Sequence, residues 1–386
     1  MKSTTPPDLS NLKIALVCDW LTEVGGAEKV LLAVHEMFPA APIYTSQFRA
    51  KSTFGEFRDV DIRTGWLNIF PRALRKFISP LRYFYFSHLD LSDYDLVISI
   101  CNAEAKNIKT STATHISYLQ GPPPQYYWGQ YDEYIKNPGV GKLNFLARFG
   151  LKILIKLMRK TDFKTAQKPN YLLANSTYAA EEIKKYYNRE TEILWPLVDV
   201  KNLQKLTKKI PNNQREGFII AGRQASWKRT DLAVAACIKL NEKLLVIGDG
   251  PEHKNLIETA RGHNNIKFLP RYDGASEIVK YLKSSRGFIF PSLEPFGITP
   301  IEALVAGTPV IALRAGGALD FIKDGQNGIF FNEQTTESLI DAMKKFEKTK
   351  FDRGVVSRSA ELFSEAQFKQ SLQKFIIKCL KESIHE

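Results

Sequence analysis

Two glutamates, Glu294 and Glu302, frame the segment Ser292-Leu293-Glu294-Pro295-Phe296-Gly297-Ile298-Thr299-Pro300-Ile301-Glu302. The apolar run Gly287 to Pro291 precedes it and reads as a buried parallel strand; the helical pattern Ile301 to Ala306 follows. Glu294 is therefore expected in a strand-to-helix loop and Glu302 in the first helical turn. Ligands of open α/β sheets bind at such carboxyl-end loops. Free N–H groups at a helix start attract anions. Carboxylates beside free N–H groups suit a ligand with both hydroxyls and phosphates, and a nucleotide sugar is such a ligand. A glutamate near a helix start also complements the helix dipole with no ligand present. The composite E-P-F-G-x-x-P-x-E, rather than either carboxylate alone, thus bears the inference.

A second chemical cluster lies upstream. Gly222-Arg223-Gln224-Ala225-Ser226-Trp227-Lys228 follows the expected strand Phe218 to Ala221. Arg223 offers a planar fork and Lys228 a mobile point charge. Gly25-Gly26 follows the first expected strand and opens the helical stretch Ala27 to Met37; glycines there let backbone approach a ligand closely. Gly248-Asp249-Gly250 begins like a dinucleotide fingerprint, but His253 takes the place of the third glycine. Gly316-Gly317 reads as a further loop near the ligand. Two D-x-D triplets, Asp59-Val60-Asp61 and Asp93-Tyr94-Asp95, invite a metal reading. The second stands at the amino end of a strand, opposite to where ligands bind, so no metal ligands are assigned.

The elements that must position these residues alternate. Strands are expected at Lys13 to Cys18, Leu96 to Ile100, His115 to Leu119 and Tyr171 to Ala174, and again at Phe218 to Ala221, Lys243 to Ile247, Ile266 to Leu269, Gly287 to Phe290 and Pro309 to Leu313. Helical stretches, Tyr178 to Tyr187 among them, lie between. This βαβ rhythm argues parallel sheets covered on both faces. It pauses at the polar stretch Lys201 to Arg215, where Pro211 to Gln214 reads as a loop. The expectation is an α/β chain of two doubly wound Rossmann-like domains, 1–198 and 199–367, facing each other across a cleft, a preferred ligand site.

The 386 residues suffice for two domains. Cys18, Cys101, Cys237 and Cys379 are far apart, so neither a zinc site nor a disulfide framework is suggested. The start, Met1 to Lys13, has no apolar signal-like core, and no apolar run is long enough to span a bilayer; a cytoplasmic protein is expected. The net charge of +13 is unevenly placed. Ile62 to Leu89 lacks acidic residues but holds Arg63, Arg72, Arg75, Lys76 and Arg82 among Phe70, Phe77 and Tyr83 to Phe86. Tyr134 to Thr161 also lacks them, with Lys136, Lys142, Arg148, Lys152, Lys156, Arg159 and Lys160. There Leu143, Leu146, Phe149, Ile153 and Leu157 recur at helical spacing. A basic amphipathic helix fits an anionic membrane surface; a core helix with a solvated back fits the same pattern.

With Glu294, Glu302, Arg223 and Lys228 in place, the chain resembles the retaining family-4 glycosyltransferases of GT-B fold over most of its length, Lys13 to about Gly328. The segments Asp19-Trp20, Gly25-Gly26-Ala27-Glu28, Ala41-Pro42-Ile43-Tyr44, Asp93 to Ser99 and Lys228 to Leu232 look most like bacterial surface-polysaccharide mannosyltransferases. The resemblance implies the following roles. Arg223 and Lys228, the family's G-R-x4-K pair, stabilise a departing diphosphate. Glu294 orients donor-sugar hydroxyls, and Glu302 accepts from the ribose. Gly222 and the backbone of Phe296, Gly297, Ile298 and Thr299 cradle sugar and phosphate. Gly25 and Gly26 face the donor's reacting end and the acceptor. Gly248-Asp249-Gly250 is a common turn of the family.

One departure stands out: Gln120-Gly121-Pro122-Pro123 replaces the family's usual His and Thr-Pro. Gln120 can hydrogen-bond a hydroxyl but cannot act as a base. The implied activity is hexosyl transfer, mannose from GDP-mannose first and a UDP-sugar second, to a glycan or lipid-linked acceptor, with neither cofactor nor metal. The terminal helix, about 368–386, is implied to pack back on the acceptor-binding first domain. Peripheral attachment to the inner face of the cytoplasmic membrane is expected; nucleic acid is not expected as a partner. A nucleotide-sugar epimerase of the same fold, or a basic membrane- or nucleic-acid-binding module, is the alternative; the latter leaves Glu294 and Glu302 unexplained.

Overall fold

The computed structural model describes residues 9–75, 78–124, 128–129, 131, 135, 144–211, 214–270 and 274–383. It divides into two compact units, Met1–Pro196 with Phe368–Glu386, and Leu197–Gln367.

The first unit is built on seven strands: β1 (Ile14–Cys18), β2 (Ile43–Thr45), β3 (Ile62–Thr64), β4 (Leu96–Cys101), β5 (Thr114–Leu119), β6 (Tyr171–Ala174) and β7 (Glu192–Ile193). They form one sheet in the order β3-β2-β1-β4-β5-β6-β7, with parallel pairing throughout. The central strands read IALVC and LVISIC and are buried at every position. Continuous apolar runs are what a sheet covered on both faces requires. Sequence order reverses direction between β1 and β4, which register Ile14 against Leu96 and Cys18 against Ile100.

Several local devices fix the helices of this unit. Ser176 caps the helix Thr177–Tyr187 by accepting from the Ala179 N–H, and Asn188 ends it in the left-handed region at φ 52°. The helix Asn144–Ala166 is anchored near its end by Asp162, a buried carboxylate. Asp162 accepts hydrogen bonds from Tyr83, Trp128 and Tyr187 and pairs with buried Lys106 at 2.9 Å. The terminal helix contributes Phe368 against Tyr118 and Phe375 against Tyr171.

The second unit has six strands: β8 (Phe218–Ala221), β9 (Leu244–Ile247), β10 (Ile266–Leu269), β11 (Gly287–Phe290), β12 (Val310–Leu313) and β13 (Gly328–Phe331). Their order is β10-β9-β8-β11-β12-β13, again parallel, with the reversal between β8 and β11. The polar stretch after Val198 is not all loop. Val200–Lys209 is a helix capped by Asp199, with Val200 and Leu203 turned into the core.

The helix after β11 also corrects an expectation. It spans Ile298–Val305 and so begins three residues before Ile301. Glu302 therefore sits in its second turn, not its first. Gly297 precedes the helix at φ 119°, a backbone geometry that glycine adopts without strain. Pro300 is tolerated in the first turn because the N–H it lacks has no helical partner there.

Candidate active site

Each sheet carries a pocket at the carboxyl end of its strands, where the strand order reverses, the place where open α/β sheets bind ligands. In the second unit, the pocket lies between the loop after β8 and the loop after β11. Gly222, Arg223 and Lys228 line it from one side; Glu294, Gly297, Ile298 and Thr299 line it from the other. At its centre Lys228 Nζ lies 2.5 Å from Glu294 Oε1. The Lys228 ammonium also stands 4.5 Å from the ring centre of Trp227. Ser292 Oγ donates to the same Glu294 oxygen at 2.6 Å. Thus the cation expected at the phosphates and the carboxylate expected at the sugar are held against each other.

Arg223 is exposed at the pocket edge. Phe296 is oriented differently from its neighbours. Its ring is buried and packs edge-on against Phe321 and Phe363, so only its backbone is left for a ligand. Glu302 is half-buried one turn further along the helix and is not among the residues lining this pocket.

Both loops are braced by backbone. A methyl group on Gly248 would overlap the Gly222 carbonyl, and one on Gly250 would overlap Gln224. Gly316 and Gly317 pack as closely on the backbone of Glu294 to Phe296, and the Gly317 N–H donates to the Glu294 carbonyl at 2.9 Å. The Gly248-Asp249-Gly250 turn is therefore a support for the Arg223 loop. Gln224 completes that support: it is buried, donates to the Gly248 carbonyl and meets His253 Nδ1 at 2.7 Å. Sequence reasoning passed over Gln224 and took His253 only as a missing glycine; the polar residue inside a Gly-rich loop was the available signal.

The first unit's pocket opens at the β1/β4 reversal and is lined by Asp19, Glu23, Gly25, Gly26, Glu28 and Gln120, among others. Gly25 caps the helix Gly26–Met37. Asp19 is committed to architecture. Its carboxylate accepts four backbone N–H bonds, from Asn102, Ala103, Glu104 and Ala105, and so shapes the loop after β4. The Gln120 loop is held by Asn175, whose Nδ2 donates to the Gln120 carbonyl at 2.6 Å. Burial pushes the Glu28 carboxyl up to about 7; Glu23 adds to this, while its own backbone N–H, Arg75 and Arg72 oppose it. Glu28 was quoted in the sequence only as part of a motif.

Gly25, Gly26 and Gln120 thus share one pocket, and Gly222, Arg223, Lys228, Glu294, Gly297, Ile298 and Thr299 share another. Of the D-x-D aspartates, Asp61 pairs with Arg63 at 2.8 Å and Asp95 accepts from the Lys13 N–H at 2.7 Å. Among the described residues, no group of three or more His, Cys, Asp or Glu is placed to hold a metal ion.

The sequence profile described as glycosyl transferases group 1 matches residues 203–363, which take in Arg223, Lys228, Glu294 and Glu302. The second unit carries a glycosyl transferases group 1 domain. Among curated proteins, human alpha-1,3/1,6-mannosyltransferase ALG2 is 24% identical over 245 residues, 54% of this chain and 58% of that protein. N-acetyl-alpha-D-glucosaminyl L-malate synthase of Bacillus anthracis is 25% identical over 233 residues, 57% of each chain. The matches thus span a little over half the length of these relatives. Among solved structures, the lipopolysaccharide outer core galactosyltransferase WaaB superposes with a TM-score of 0.70 at 16% identity, over 95% of this chain and 99% of that one. Anabaena Alr3699/HepE, solved with UDP and glucose, superposes with a TM-score of 0.64 at 17% identity over the same shares. The two parallel-sheet units of this glycosyltransferase-domain chain have the GT-B fold.

The two basic runs fare differently. In Ile62 to Leu89, Arg63 pairs with Asp61, Arg72 and Arg75 with Glu23, and Arg82 with Glu104 in the core. Arg82 is thus bound internally, whereas Arg63 and Arg72 pair at the surface with side chains about half exposed. Along the helix Asn144–Ala166, by contrast, Phe149, Ile153 and Leu157 are exposed, as is Phe145. They form a row at four-residue intervals beside a second row, Arg148, Lys152, Lys156 and Lys160. Lys76, Phe77, Tyr134, Lys136, Lys142 and Leu143 lie outside the described residues.

Proposed function

We propose that this chain is a retaining hexosyltransferase that moves a sugar from a nucleotide sugar to a hydroxyl of a glycan or lipid-linked acceptor in surface-polysaccharide biosynthesis. The supporting observation is the pairing of Lys228 with Glu294 in the second unit's pocket, with Arg223 on its edge. In this reading the bond from the anomeric carbon to the diphosphate oxygen breaks as the acceptor oxygen forms its bond on the same face. The acceptor proton passes to the leaving diphosphate oxygen. Such a path needs positioning and charge stabilisation more than a side-chain nucleophile. Arg223 and Lys228 neutralise the diphosphate in place of a metal, Glu294 holds sugar hydroxyls, and Glu302 holds the ribose.

Mannose from GDP-mannose is the first donor to test, supported by motif similarity and by the mannosyltransferase name of the human relative. A UDP-sugar is second, supported by the UDP and glucose found with the Anabaena protein. Thermal unfolding against a panel of GDP- and UDP-sugars, followed by transfer assays with the stabilising donor, tests the proposal. Stabilisation by one donor and nucleotide release that needs an acceptor are expected. A protein that no nucleotide sugar stabilises overturns it, and interconversion of the donor without an acceptor favours the epimerase reading.

The same proposal places the protein peripherally on an anionic lipid surface. The paired rows on Asn144–Ala166 support this: aromatic and aliphatic side chains can enter the headgroup region while the adjacent cations meet lipid phosphates. No helix among the described residues is long and apolar enough to cross a membrane.

A further inference from the structure

The loop that carries Lys228 ends in a strained residue. Among the described residues, three besides glycine have a left-handed backbone: Asn188, Arg229 and Asn241. The two asparagines end helices, a place where Asn tolerates that conformation. Arg229 instead stands before the helix Thr230–Leu240, directly after Lys228, at φ 52° and ψ 37°, and its side chain makes no cap to the helix. Glycine would enter this region of backbone space without strain, and arginine does not. What the arginine adds is therefore in its side chain.

That side chain links the two loops of the second pocket from behind. Asp231 holds the guanidinium as a fork: Nε and Nη2 donate to its two carboxylate oxygens at 3.1 and 3.0 Å. The remaining arm, Nη1, donates to the Gln334 carbonyl at 3.3 Å. Gln334 lies between β13 and the helix Thr336–Lys348, and its Nε2 donates to the Pro291 carbonyl at 2.8 Å. Pro291 directly follows β11 and opens the loop that bears Glu294. The path Lys228–Arg229–Gln334–Pro291–Glu294 thus joins the two loops through side-chain bonds, besides the direct ion pair between Lys228 and Glu294. Neither Arg229 nor Gln334 is among the residues lining the pocket.

We propose that Arg229 and Gln334 are positioning residues: they form a strut behind the pocket that fixes where Lys228 and Glu294 stand relative to each other. The strut rests for its purpose on the transferase reading above, in which Lys228 neutralises the diphosphate and Glu294 holds the sugar. The left-handed turn at Arg229 sets the direction of the Lys228 side chain, and the bonds to Asp231 and Gln334 hold that turn against its strain. Misplacing a catalytic group by about 1 Å can cost about a hundredfold in rate. Contacts that the rest of the pocket makes equally to bound and reacting donor are untouched, so the strut acts on turnover more than on donor affinity.

The test compares the whole chain with Arg229→Gly, Gln334→Ala and the double variant. Thermal unfolding of Arg229→Gly should stay close to the parent's, because the strain released offsets the freedom that glycine adds to the unfolded chain. Hydrogen exchange read by mass spectrometry needs no ligand. In Gln334→Ala the peptide bearing Lys228 and Arg229, whose N–H groups donate to the Ala225 and Ser226 carbonyls, should exchange about fivefold faster, although the substitution lies on another loop. Each single variant should transfer sugar about tenfold to a hundredfold more slowly, with the donor KM within about threefold of the parent's. The double variant should be no slower than the slower single one, since one strut is broken only once. Unchanged exchange in that peptide, parental turnover in Arg229→Gly, or losses that multiply in the double variant overturn the proposal. Faster exchange in Gln334→Ala with no transfer by the parent from any donor refutes the transferase reading alone; transfer by the parent with turnover unmoved in the variants refutes the strut alone.

Discussion

Neutralising Glu294 should have opposite effects on two ligands that differ only by a sugar. Lys228 and Glu294 lie 2.5 Å apart with side chains 21% and 14% exposed. A diphosphate that recruits Lys228 must first draw it away from Glu294 and meets the carboxylate's repulsion as it does so. The pair lies between exposed pairs, worth about 0–1 kcal/mol, and buried pairs, whose disruption costs about 3–5 kcal/mol. We take about 1–2 kcal/mol, which is about 5- to 30-fold in affinity. Glu294→Gln should therefore bind GDP or UDP about 5- to 30-fold more tightly than the parent by titration calorimetry. The same substitution should slow sugar transfer about a hundredfold, because a neutral amide cannot replace the charged contact to donor hydroxyls. Unchanged or weaker nucleotide binding would show that Lys228 is not withheld from phosphate by Glu294, and the reasoning fails.

Further outcomes are expected. Arg223→Ala and Lys228→Ala should each lower turnover about a hundredfold or more, with circular dichroism unchanged; near-parental turnover would remove the residue from the leaving-group role. Glu302→Ala should weaken nucleoside diphosphate binding about tenfold or more, the scale of a hydrogen bond to a charged group, and equal Kd values would end the ribose assignment. A chelator should leave transfer unchanged, and loss restored by manganese or magnesium would bring a metal into the mechanism. Asp162→Ala leaves Lys106 buried and unpaired, so denaturant unfolding should record a loss of about 3–5 kcal/mol. Neutralising Arg148, Lys152, Lys156 and Lys160 together should reduce sedimentation with anionic vesicles, which in the parent should weaken with salt; equal absence from anionic and neutral vesicle pellets would sink the membrane assignment.

The sheets were legible because buried parallel strands are short, continuous apolar runs: Tyr171–Ala174, Phe218–Ala221 and Gly287–Phe290 stand where their composition puts them. Edge strands such as Ile62–Thr64, half-exposed and only three residues long, carry no such signal. The start of the Ile298–Val305 helix was misplaced because Thr299 and Pro300 break the apolar pattern while satisfying the first turn. The residues of the second pocket were legible as loops following strands. Their mutual engagement was not, since nothing in spacing says that Lys228 reaches Glu294 rather than solvent. The internal pairing of Arg82 in the run Ile62 to Leu89 escaped for the same reason: Arg82 and Glu104 meet only through the fold. Charge counted along a chain says little about charge left at the surface.

The glycines behind the second pocket have a consequence for which positions around it tolerate change. The loops that bear Arg223 and Glu294 rest on Gly248, Gly250, Gly316 and Gly317 through main-chain atoms, so, apart from buried Gln224 and the Arg229 strut, their path owes little to the side chains they display. Ser226, Trp227 and Leu293 can then be exchanged as interchangeable fittings on a fixed mount. A saturation library over those three exposed positions should yield many folded variants that still bind nucleotide, whereas even alanine at the four glycines should yield few that do.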